Sequence, residues 1–300
     1  MTNEYVSGFV AVIGRPNVGK STFINHAIGQ KIAIISDKPQ TTRGRILAIR
    51  TTDSSQIVFV DTPGIHKPKN KLGEYMVKTA ETSASDADVI IFIVEAGDQI
   101  RGNELRIMDY IRESGLPCIL VINKIDTMQN KELLLPQIEA FGKELNFASI
   151  IPICARSQNG AEKVIAEIEK LLPQGPKLYP EDMVTDMQER EVAAEIIREK
   201  ILRVMDKEVP HGVAIEVMQY KEEENLIRII ATIYCDKASH KGIIIGKNGE
   251  MLKKIGQSAR MDIEKMVDKK VYIELWVKVK DDWRNNNFLM KEFGFSEDKK

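Results

Sequence analysis

The sequence predicts two domains: a doubly wound α/β domain with a mostly parallel sheet, followed by a smaller α+β domain. Three observations predict this. The chain has 300 residues, more than the roughly 100 to 200 of one typical domain. Its hydrophobic pattern changes near residue 173, and a proline-rich segment begins there. With 43% hydrophobic and 29% charged residues, the composition is that of a globular protein with ordinary cores.

Short, wholly apolar runs alternate with amphipathic stretches in the first half of the chain. Such runs are typical of strands buried on both faces, as in a parallel sheet covered by helices. They are FVAVIG, IVFVDT, VIIFIV, CILVIN and IIPICA. Helical periodicity lies between them, for example over 101–114 and 131–145. We therefore expect the α/β domain to span 1–172.

The second half follows a different pattern. Residues 173–182, PQGPKLYPED, hold three prolines and a glycine, so they continue neither helix nor strand and predict a linker. A helix, two alternating strands, a glycine loop, a helix from about 250 and a last strand follow. This order predicts an α+β domain over 183–293 and a polar tail over 294–300.

Cysteine usage and the chain's N-terminus bear on location. Cys118, Cys154 and Cys235 are widely spaced in apolar runs, which favours buried thiols in a reducing compartment over disulfides or a metal cluster. The N-terminus has no basic lead, and no apolar run reaches the roughly 20 residues of a membrane span. We expect a cytosolic protein, or at most a peripheral one.

A nearly balanced formal net charge of −1 conceals an asymmetry in the second half. Residues 181–236 carry 7 basic and 14 acidic side chains, whereas 237–291 carry 13 and 7. A basic surface around the glycine loop near 246 would attract a phosphate-rich polymer. The alternative is a solvated helix face.

The segment GRPNVGKS, residues 14–21, has the spacing and the strand-to-helix setting of a phosphate-binding loop. Its glycines would direct backbone N–H groups at the phosphates, its lysine would bridge β- and γ-oxygens, and its serine would bind Mg²⁺. The expected nucleotide contacts here are Gly14, Asn17, Val18, Gly19, Lys20, Ser21 and Thr22.

Two further segments indicate which nucleotide binds. In DTPG, 61–64, Asp61 can hold Mg²⁺ through water and the Gly64 N–H can meet the γ-phosphate. Taken alone, DTPG is also consistent with a simple turn. In NKID, 123–126, the Asp126 carboxylate can accept from both guanine donors, N1–H and the N2 amino group, which adenine lacks. Asn123 would brace the base and loop, and the Lys124 stem would lie along the ring.

A last segment, ICA at 153–155, would donate the Ala155 N–H to guanine O6. With these elements in order, the first half resembles translational-factor-type GTPases. KPQTTRGRI, 38–46, fits their first switch segment, with Thr42 favoured over Thr41 as the Mg²⁺ ligand. Cys154 stands where that family usually has serine, a stronger hydrogen-bond partner than a thiol. The expected catalytic group is Lys20, Thr42 and Gly64, and the expected Mg²⁺ ligands are Ser21, Thr42 and Asp61.

The second glycine loop, GKNG at 246–249, lacks the spacing and the hydroxyl of a phosphate-binding loop. A G-x-x-G turn between two helices matches the KH fold, where it clamps a single-stranded RNA backbone beside an apolar groove. Residues 242–245 with MLKKIG are expected to form that groove. The alternative is a purely structural turn. The expected RNA contacts are Lys241, Gly242, Ile245, Gly246, Lys247, Asn248, Gly249 and Lys253.

Taken with PQTTR, DTPGI and the closing segment ELWVKVKDDWR, the chain over about 5–292 resembles the Era family of bacterial GTPases. The resemblance implies a monomer that uses GTP/GDP and Mg²⁺, binds 16S ribosomal RNA near its 3′ end, assists 30S subunit assembly, and associates peripherally with the inner membrane surface. In related GTPases with the NVGKS pattern, the residue matching Asn17 holds K⁺. Whether K⁺ takes part here is left open.

Two readings of function remain at this point. In the first, the protein is an RNA-binding assembly factor in which GTP is the switch; in the second, it is a membrane- or protein-directed GTPase whose KH-like module is an interaction domain. A tRNA-modifying GTPase is disfavoured, since the chain has no C-terminal catalytic cysteine. Ile65 follows DTPG where other GTPases place a water-orienting glutamine, so we expect slow turnover, and His66 is expected to be a solvated loop residue.

Overall fold

The computed structural model describes residues 5–36, 38, 41–64, 68–205 and 209–295. The chain forms two compact units. The first contains Met1–Ile35, Thr42–Lys67 and Met76–Asp186; the second contains Met187–Lys300 with two short segments from the first half, Ser36–Thr41 and Pro68–Tyr75. The predicted domain boundaries stay a prediction, and each unit is described by itself below.

A six-stranded sheet forms the centre of the first unit. Its strands are β1 (Val6–Ile13), β2 (Ile46–Thr51), β3 (Ser55–Asp61), β4 (Val89–Glu95), β5 (Cys118–Asn123) and β6 (Ser149–Pro152). They lie in the order β2-β3-β1-β4-β5-β6, and all neighbours are parallel except β2 and β3. The apolar runs predicted as strands form β1 and β3 to β6. The antiparallel edge strand β2 was not predicted.

Helices connect these strands: α1 (Lys20–Ile28), α2 (Lys71–Ser85), α3 (Gly102–Ser114), α4 (Leu134–Glu144) and α5 (Gln158–Leu171). The two ends of α3 illustrate which residues begin and end such a helix. At its start, the Glu104 carboxylate accepts the Arg101 N–H at 3.1 Å, a capping arrangement. At its end, Gly115 adopts φ 67°, which glycine tolerates without strain. Because helices carry the chain back between parallel strands, these strands end at a common edge of the sheet. The loops at that edge carry the predicted motifs.

The proline-rich segment packs on the first unit. The Gln56 side chain accepts the N–H groups of Leu178 and Tyr179 at 2.6 and 2.9 Å, and its amide donates to the Tyr179 carbonyl at 2.9 Å. Further along, Ile49 of β2 donates its N–H to the Val184 carbonyl at 2.9 Å. The segment therefore satisfies backbone groups of the edge strand that would otherwise be unpaired.

The second unit is built on a three-stranded sheet of β7 (Val213–Glu222), β8 (Leu226–Cys235) and β9 (Lys270–Val279). β7 and β8 are antiparallel, and β8 and β9 are parallel. Alternate residues of these strands pack against α6 (Glu189–Val204), α7 (Ala238–Ile245) and α8 (Glu250–Val267) in one apolar core. The helix-strand-strand-loop-helix-strand order expected from the sequence is present, with α7 just before the glycine loop.

The C-terminal part forms a short helix, α9 (Asn287–Glu292). Trp283 is fully buried before it and donates its indole N–H to the Gly212 carbonyl at 2.9 Å. Phe293 and Phe295 pack their rings against Trp283 at centroid distances of 5.4 and 5.8 Å. Among the described residues, no helix is both long enough and apolar enough to cross a membrane.

Candidate nucleotide site and nucleic-acid groove

The loop between β1 and α1 is held in a narrow space that only glycine fits at two positions. A Cβ on Gly14, which has φ 151°, would lie 2.4 Å from the Ile93 carbonyl oxygen. A Cβ on Gly19, with φ 102°, would lie 2.2 Å from the Asn123 amide nitrogen. The loop backbone therefore lies close to β4 and to the end of β5, and it leads directly into the N-terminus of α1, a favourable place for an anion.

Lys20, the first residue of α1, folds back over this loop. Only 7% of its surface is exposed, and its ammonium donates to the carbonyls of Gly14 at 3.1 Å and Arg15 at 2.9 Å. Burial lowers the pKa of Lys20 to about 8, against the attraction of Asp61, which raises it. The ammonium is thus placed inside the predicted phosphate-binding loop.

Three oxygen-bearing side chains meet beside that lysine. Ser21 Oγ and Thr42 Oγ1 donate to the same Asp61 oxygen at 2.9 and 3.1 Å, and the two hydroxyls are 3.1 Å apart. Thr41 does not belong to this cluster, since its hydroxyl donates to the Lys38 carbonyl at 2.6 Å.

Asp61, at the end of β3, is fully buried. Burial raises the pKa of its carboxyl, while Lys20 and the two hydroxyls oppose that rise. Its second oxygen accepts no hydrogen bond from the described residues. A set of hydroxyl and carboxylate oxygens suits a hard cation such as Mg²⁺, so the residues present fit the predicted metal.

The DTPG turn packs on the phosphate loop through its glycine. A Cβ on Gly64 would lie 2.6 Å from the Pro16 nitrogen, so a larger residue would push the turn away from the loop. The two residues that follow, Ile65 and His66, lie outside the described residues, and the expectations about them are untested.

Asn123 joins three loops at the same edge of the sheet. Its amide donates to the Val18 carbonyl at 2.8 Å, and its oxygen accepts the Ala155 N–H at 2.8 Å. The sequence prediction directed that N–H at guanine O6. In the structure the side-chain oxygen of Asn123 accepts this N–H instead. Guanine O6 would therefore have to share the Ala155 N–H with Asn123.

The remaining base-recognition residues lie around a short 3-10 turn, Ile125–Thr127. Asp126 is exposed there. Burial and the nearby Asp126 carboxylate raise the pKa of the half-buried Cys154 thiol. Lys124, at φ 65°, reaches the Glu95 carboxylate at 2.7 Å. Cys154 is therefore not the plain buried thiol expected, because it is half-buried and lies close to Asp126, whereas Cys118 and Cys235 are buried.

Three other predicted contacts lie on the same loop and the first turn of α1. Asn17 adopts φ 67°, Val18 is almost completely buried, and Thr22 is half-buried. The positive φ turns the backbone of the loop at Asn17, so the residue is at a conformationally special position.

Sequence reasoning missed the side chains that brace this site from the segment after β4. Arg15 forms ion pairs with Asp98 and Glu104, and Gln137 bonds the Glu95 carbonyl and the Gly97 N–H, both at 2.9 Å. These partners belong to no motif, and they are too far from the loop in sequence for a pattern to connect them with it. Asp98 and Glu104 keep the Arg15 guanidinium paired with carboxylates.

The G-x-x-G turn joins α7 to α8 in the second unit. Gly246 has φ 72° and ψ 178°, a region that is essentially limited to glycine, and a Cβ on it would lie 2.6 Å from Met251 Cβ. Gly249 has φ 78° with open space around it. The turn itself therefore requires glycine at position 246, whereas at position 249 only the backbone angle favours it.

An open cavity of about 670 Å³ lies beside the turn. Of the predicted RNA contacts, Gly249 and Lys253 line it; the other six, Lys241, Gly242, Ile245, Gly246, Lys247 and Asn248, lie on α7 and the turn. Leu252 and Gly256 of the MLKKIG segment also line it, together with residues missed by the sequence: Leu226 of β8, Gln257 and Arg260 of α8, and 271–275 of β9. Ile244 is buried in the core, so β9 takes the place of the apolar wall expected from 242–245.

Comparisons with known proteins agree with this geometry. A family model described as "50S ribosome-binding GTPase" matches residues 9–124, and a KH domain model matches 208–284. GTPase Era of Ruminiclostridium cellulolyticum is 51% identical over 297 residues, covering 99% of both chains. GTPase Era of Clostridium acetobutylicum is 50% identical over 296 residues, covering 99% of this chain and 100% of that one.

Two solved structures are similar over nearly the whole chain. One is Era in complex with MgGDPNP and nucleotides 1506–1542 of 16S ribosomal RNA, with TM-score 0.94, 40% identity, and coverage of 97% of this chain and 99% of that one. The other is a variant of Era from Aquifex aeolicus bound to GDP and AlF4⁻, with TM-score 0.93, the same identity and the same coverage. The chain is 51% and 50% identical to the GTPase Era sequences of Ruminiclostridium cellulolyticum and Clostridium acetobutylicum along almost its full length, so it belongs to the Era family of GTPases.

Proposed function

We propose that the protein hydrolyses GTP to GDP and phosphate and binds the 3′ region of 16S ribosomal RNA. The observation that supports hydrolysis most directly is the oxygen cluster of Ser21, Thr42 and Asp61 beside buried Lys20. Lys20 and the backbone N–H groups at the start of α1 hold the β- and γ-phosphates, and the Gly64 N–H meets the γ-phosphate.

Ser21 and Thr42 would hold Mg²⁺ directly, and Asp61 would hold it through water. When bound, Mg²⁺ neutralises the charge that builds on the phosphate oxygens. A water molecule attacks the γ-phosphorus, the bond from that phosphorus to the β,γ-bridging oxygen breaks, and GDP leaves. Ile65 follows the DTPG turn where other GTPases place a water-orienting glutamine, so we expect slow intrinsic turnover.

Guanine is selected by Asp126, which accepts from N1–H and the N2 amino group. The thiol of Cys154 holds the carboxylate in place, and Asn123 keeps the phosphate and base loops together. Lys124 lies along the ring with its ammonium anchored on Glu95.

K⁺ beside Asn17 is a further element of the proposal, because it would supply positive charge that Arg15, held by Asp98 and Glu104, does not. Single-turnover hydrolysis in K⁺ and in Na⁺, for wild type and Asn17→Ala, tests it. We expect a K⁺-specific stimulation that the variant loses. Equal rates in both salts remove the ion from the mechanism.

RNA binding is supported by the groove lined by Gly249, Lys253 and Arg260 and by the RNA bound to the solved Era relative. Because that RNA is part of the small subunit, we place the protein in 30S assembly, with nucleotide-dependent ordering of the Thr42 and DTPG segments as the switch. It acts as a monomer in the cytoplasm, with peripheral association at the inner membrane surface.

One experiment separates this function from a membrane- or protein-directed switch. The full-length protein is titrated with a single-stranded fragment from the 3′ end of 16S rRNA and with a scrambled fragment, and GTP turnover is measured with and without Mg²⁺. We expect preference for the native fragment and Mg²⁺-dependent turnover that Ser21→Ala loses. Equal or absent binding of both fragments with intact turnover favours the membrane- or protein-directed reading.

A further inference from the structure

One face of the sheet of the second unit packs on the helices; the other face is covered by Phe293 at Tyr234 and is open along part of β9. Ile273 and Leu275 of β9 turn toward the helices and the core. Tyr272 and Trp276, which alternate with them, are 44% and 57% exposed. Large aromatic side chains usually bury most of their surface. Two exposed rings on one edge strand therefore point to a surface that is covered by something else.

Both rings are held in position by neighbours on the same face. The Arg228 guanidinium lies 4.9 Å from the centre of the Tyr272 ring, a cation–π contact. The Trp276 indole N–H donates to the Glu274 carboxylate at 2.8 Å. We call these four residues the aromatic shelf. By the rise of a strand, the two rings are about 13 Å apart, with a carboxylate between them.

The shelf is continuous with the groove of the proposed function. Tyr272 and Glu274 line that groove together with Lys253 and Arg260, and β9 is the edge of the sheet. An RNA strand that leaves the groove beside Tyr272 meets Trp276 next if it crosses this edge.

The chemistry of the shelf suits unpaired bases. Stacking on an aromatic ring accepts any base, and a carboxylate between two rings can accept from an exocyclic amino group such as that of cytosine. Lys221 and Lys278, exposed on β7 and β9, offer charge to the phosphates. A protein partner would favour a contiguous apolar patch, whereas a charged group separates the rings here.

We propose that the aromatic shelf is a second RNA subsite, which stacks bases of the single strand as it leaves the groove. This rests on the proposed function, because the groove must bind RNA first. The subsite makes affinity depend on the length of the RNA beyond the roughly four nucleotides that a KH groove holds.

The test uses the chain's two tryptophans. Trp283 is fully buried and Trp276 is exposed, so a change in emission caused by stacking reports on Trp276. Full-length protein is titrated with oligonucleotides of about four and about ten nucleotides from the 3′ end of 16S rRNA. We expect only the longer RNA to quench the fluorescence and to bind more tightly.

Trp276→Ala should lower the affinity for the longer RNA about tenfold and leave the affinity for the shorter RNA unchanged. Trp276→Phe keeps an aromatic ring and should therefore keep most of the wild-type affinity for the longer RNA. Phe288, 76% exposed on α9, provides the matched control, since Phe288→Ala removes an exposed ring outside the shelf and should change neither affinity.

The outcomes separate the two proposals. If wild type binds neither RNA, the groove itself is wrong. If both RNAs bind equally well, without quenching and without an effect of Trp276→Ala, the groove stands and the shelf is overturned. If Trp276→Ala binds RNA normally but no longer associates with 30S subunits, the shelf binds a ribosomal protein and the RNA proposal is overturned.

Discussion

The two glycine loops of this chain look alike in sequence but use glycine for different reasons. In the loop that ends in Lys20, Gly14 and Gly19 are required by close approach to the Ile93 carbonyl and the Asn123 amide. In the second loop, Gly246 is required by its backbone angles and by Met251 of the same turn, whereas Gly249 faces open space. The first loop lies against other strands; in the second, the nearest neighbour of Gly246 is Met251 of the helix that follows.

This difference matches what each loop is proposed to bind. An enclosed loop with a buried ammonium surrounds a compact anion and makes many contacts to it, as a nucleotide requires. An open turn beside a long groove contacts a polymer a few groups at a time, so no single residue dominates. Substitutions in the first loop should therefore have larger effects than those in the second.

Lys20→Ala should have the largest effect. It removes charge-assisted hydrogen bonds to two phosphates, which are together worth about a thousandfold in GTP affinity. Nucleotide affinity is measured by calorimetry, and the circular dichroism spectrum and thermal unfolding of the same protein are the control. Loss of the wild-type spectrum would mean that the variant is misfolded, and retention of GTP binding would contradict the phosphate loop.

Asp126→Asn should weaken GTP binding by about a hundredfold, because both guanine donors lose their charged acceptor. The new amide can donate to the C2 oxygen of xanthine, so xanthosine triphosphate should gain affinity. Competition between the two nucleotides measures the exchange. Unchanged GTP affinity would mean that NKID does not contact the base. Of the proposed nucleotide site, only the phosphate-binding loop would then remain.

The sequence predicted best what depends on local pattern. Wholly apolar runs identified five strands of the first sheet, and motif spacing identified Lys20, Ser21 and Asp61, which the structure brings together. The antiparallel strand β2, which begins at the last residue of the predicted switch segment, was missed because its pairing with β3 is set by tertiary contacts. Pattern alone does not contain such pairing.

Partners distant in sequence were not predictable in the same way. Asn123 accepts the Ala155 N–H only because the ends of two parallel strands lie side by side. The groove wall came from β9 and not from 242–245, because the helical period directs Ile244 into the core. In both cases the residue type was informative, but the neighbour was decided by packing.

Gly249 gives a cleaner test of the second loop than Gly246, whose replacement would collide with Met251. Gly249 has φ 78°, a conformation in which Asn and Asp are the best-tolerated substitutes. Gly249→Asp should weaken RNA binding about tenfold relative to Gly249→Asn, since only the former adds a negative charge near phosphate. GTP turnover of both free proteins should match wild type. Equal RNA affinity of the pair would place the phosphates elsewhere.

Lys253→Ala should have a smaller effect, about a three- to fivefold loss of RNA affinity, with the slope against log salt reduced by about 1. Lys254→Ala is the matched control, because Lys254 is exposed on the same helix but does not line the groove. The measurement is RNA affinity over a range of salt concentrations. An identical slope for the two variants would mean that helix charge in general, and not the groove, attracts RNA.

The smallest effect is expected at Cys154, whose thiol lies close to the Asp126 carboxylate and can donate to it. Because a hydroxyl is a stronger donor than a thiol, Cys154→Ser should hold Asp126 more firmly. We expect GTP affinity to rise by about two- to threefold, the size of effect that results when a weak hydrogen bond to a carboxylate is replaced by a stronger one. Cys154→Ala removes the donor and should lower the affinity by a similar factor. Adenine nucleotides bypass Asp126, so the ratio of GTP to ATP affinity, measured for all three proteins, isolates the effect on base recognition. If Ser and Ala shift this ratio in the same direction, side-chain volume and not hydrogen bonding decides at this position, and the carboxylate is held by the turn alone.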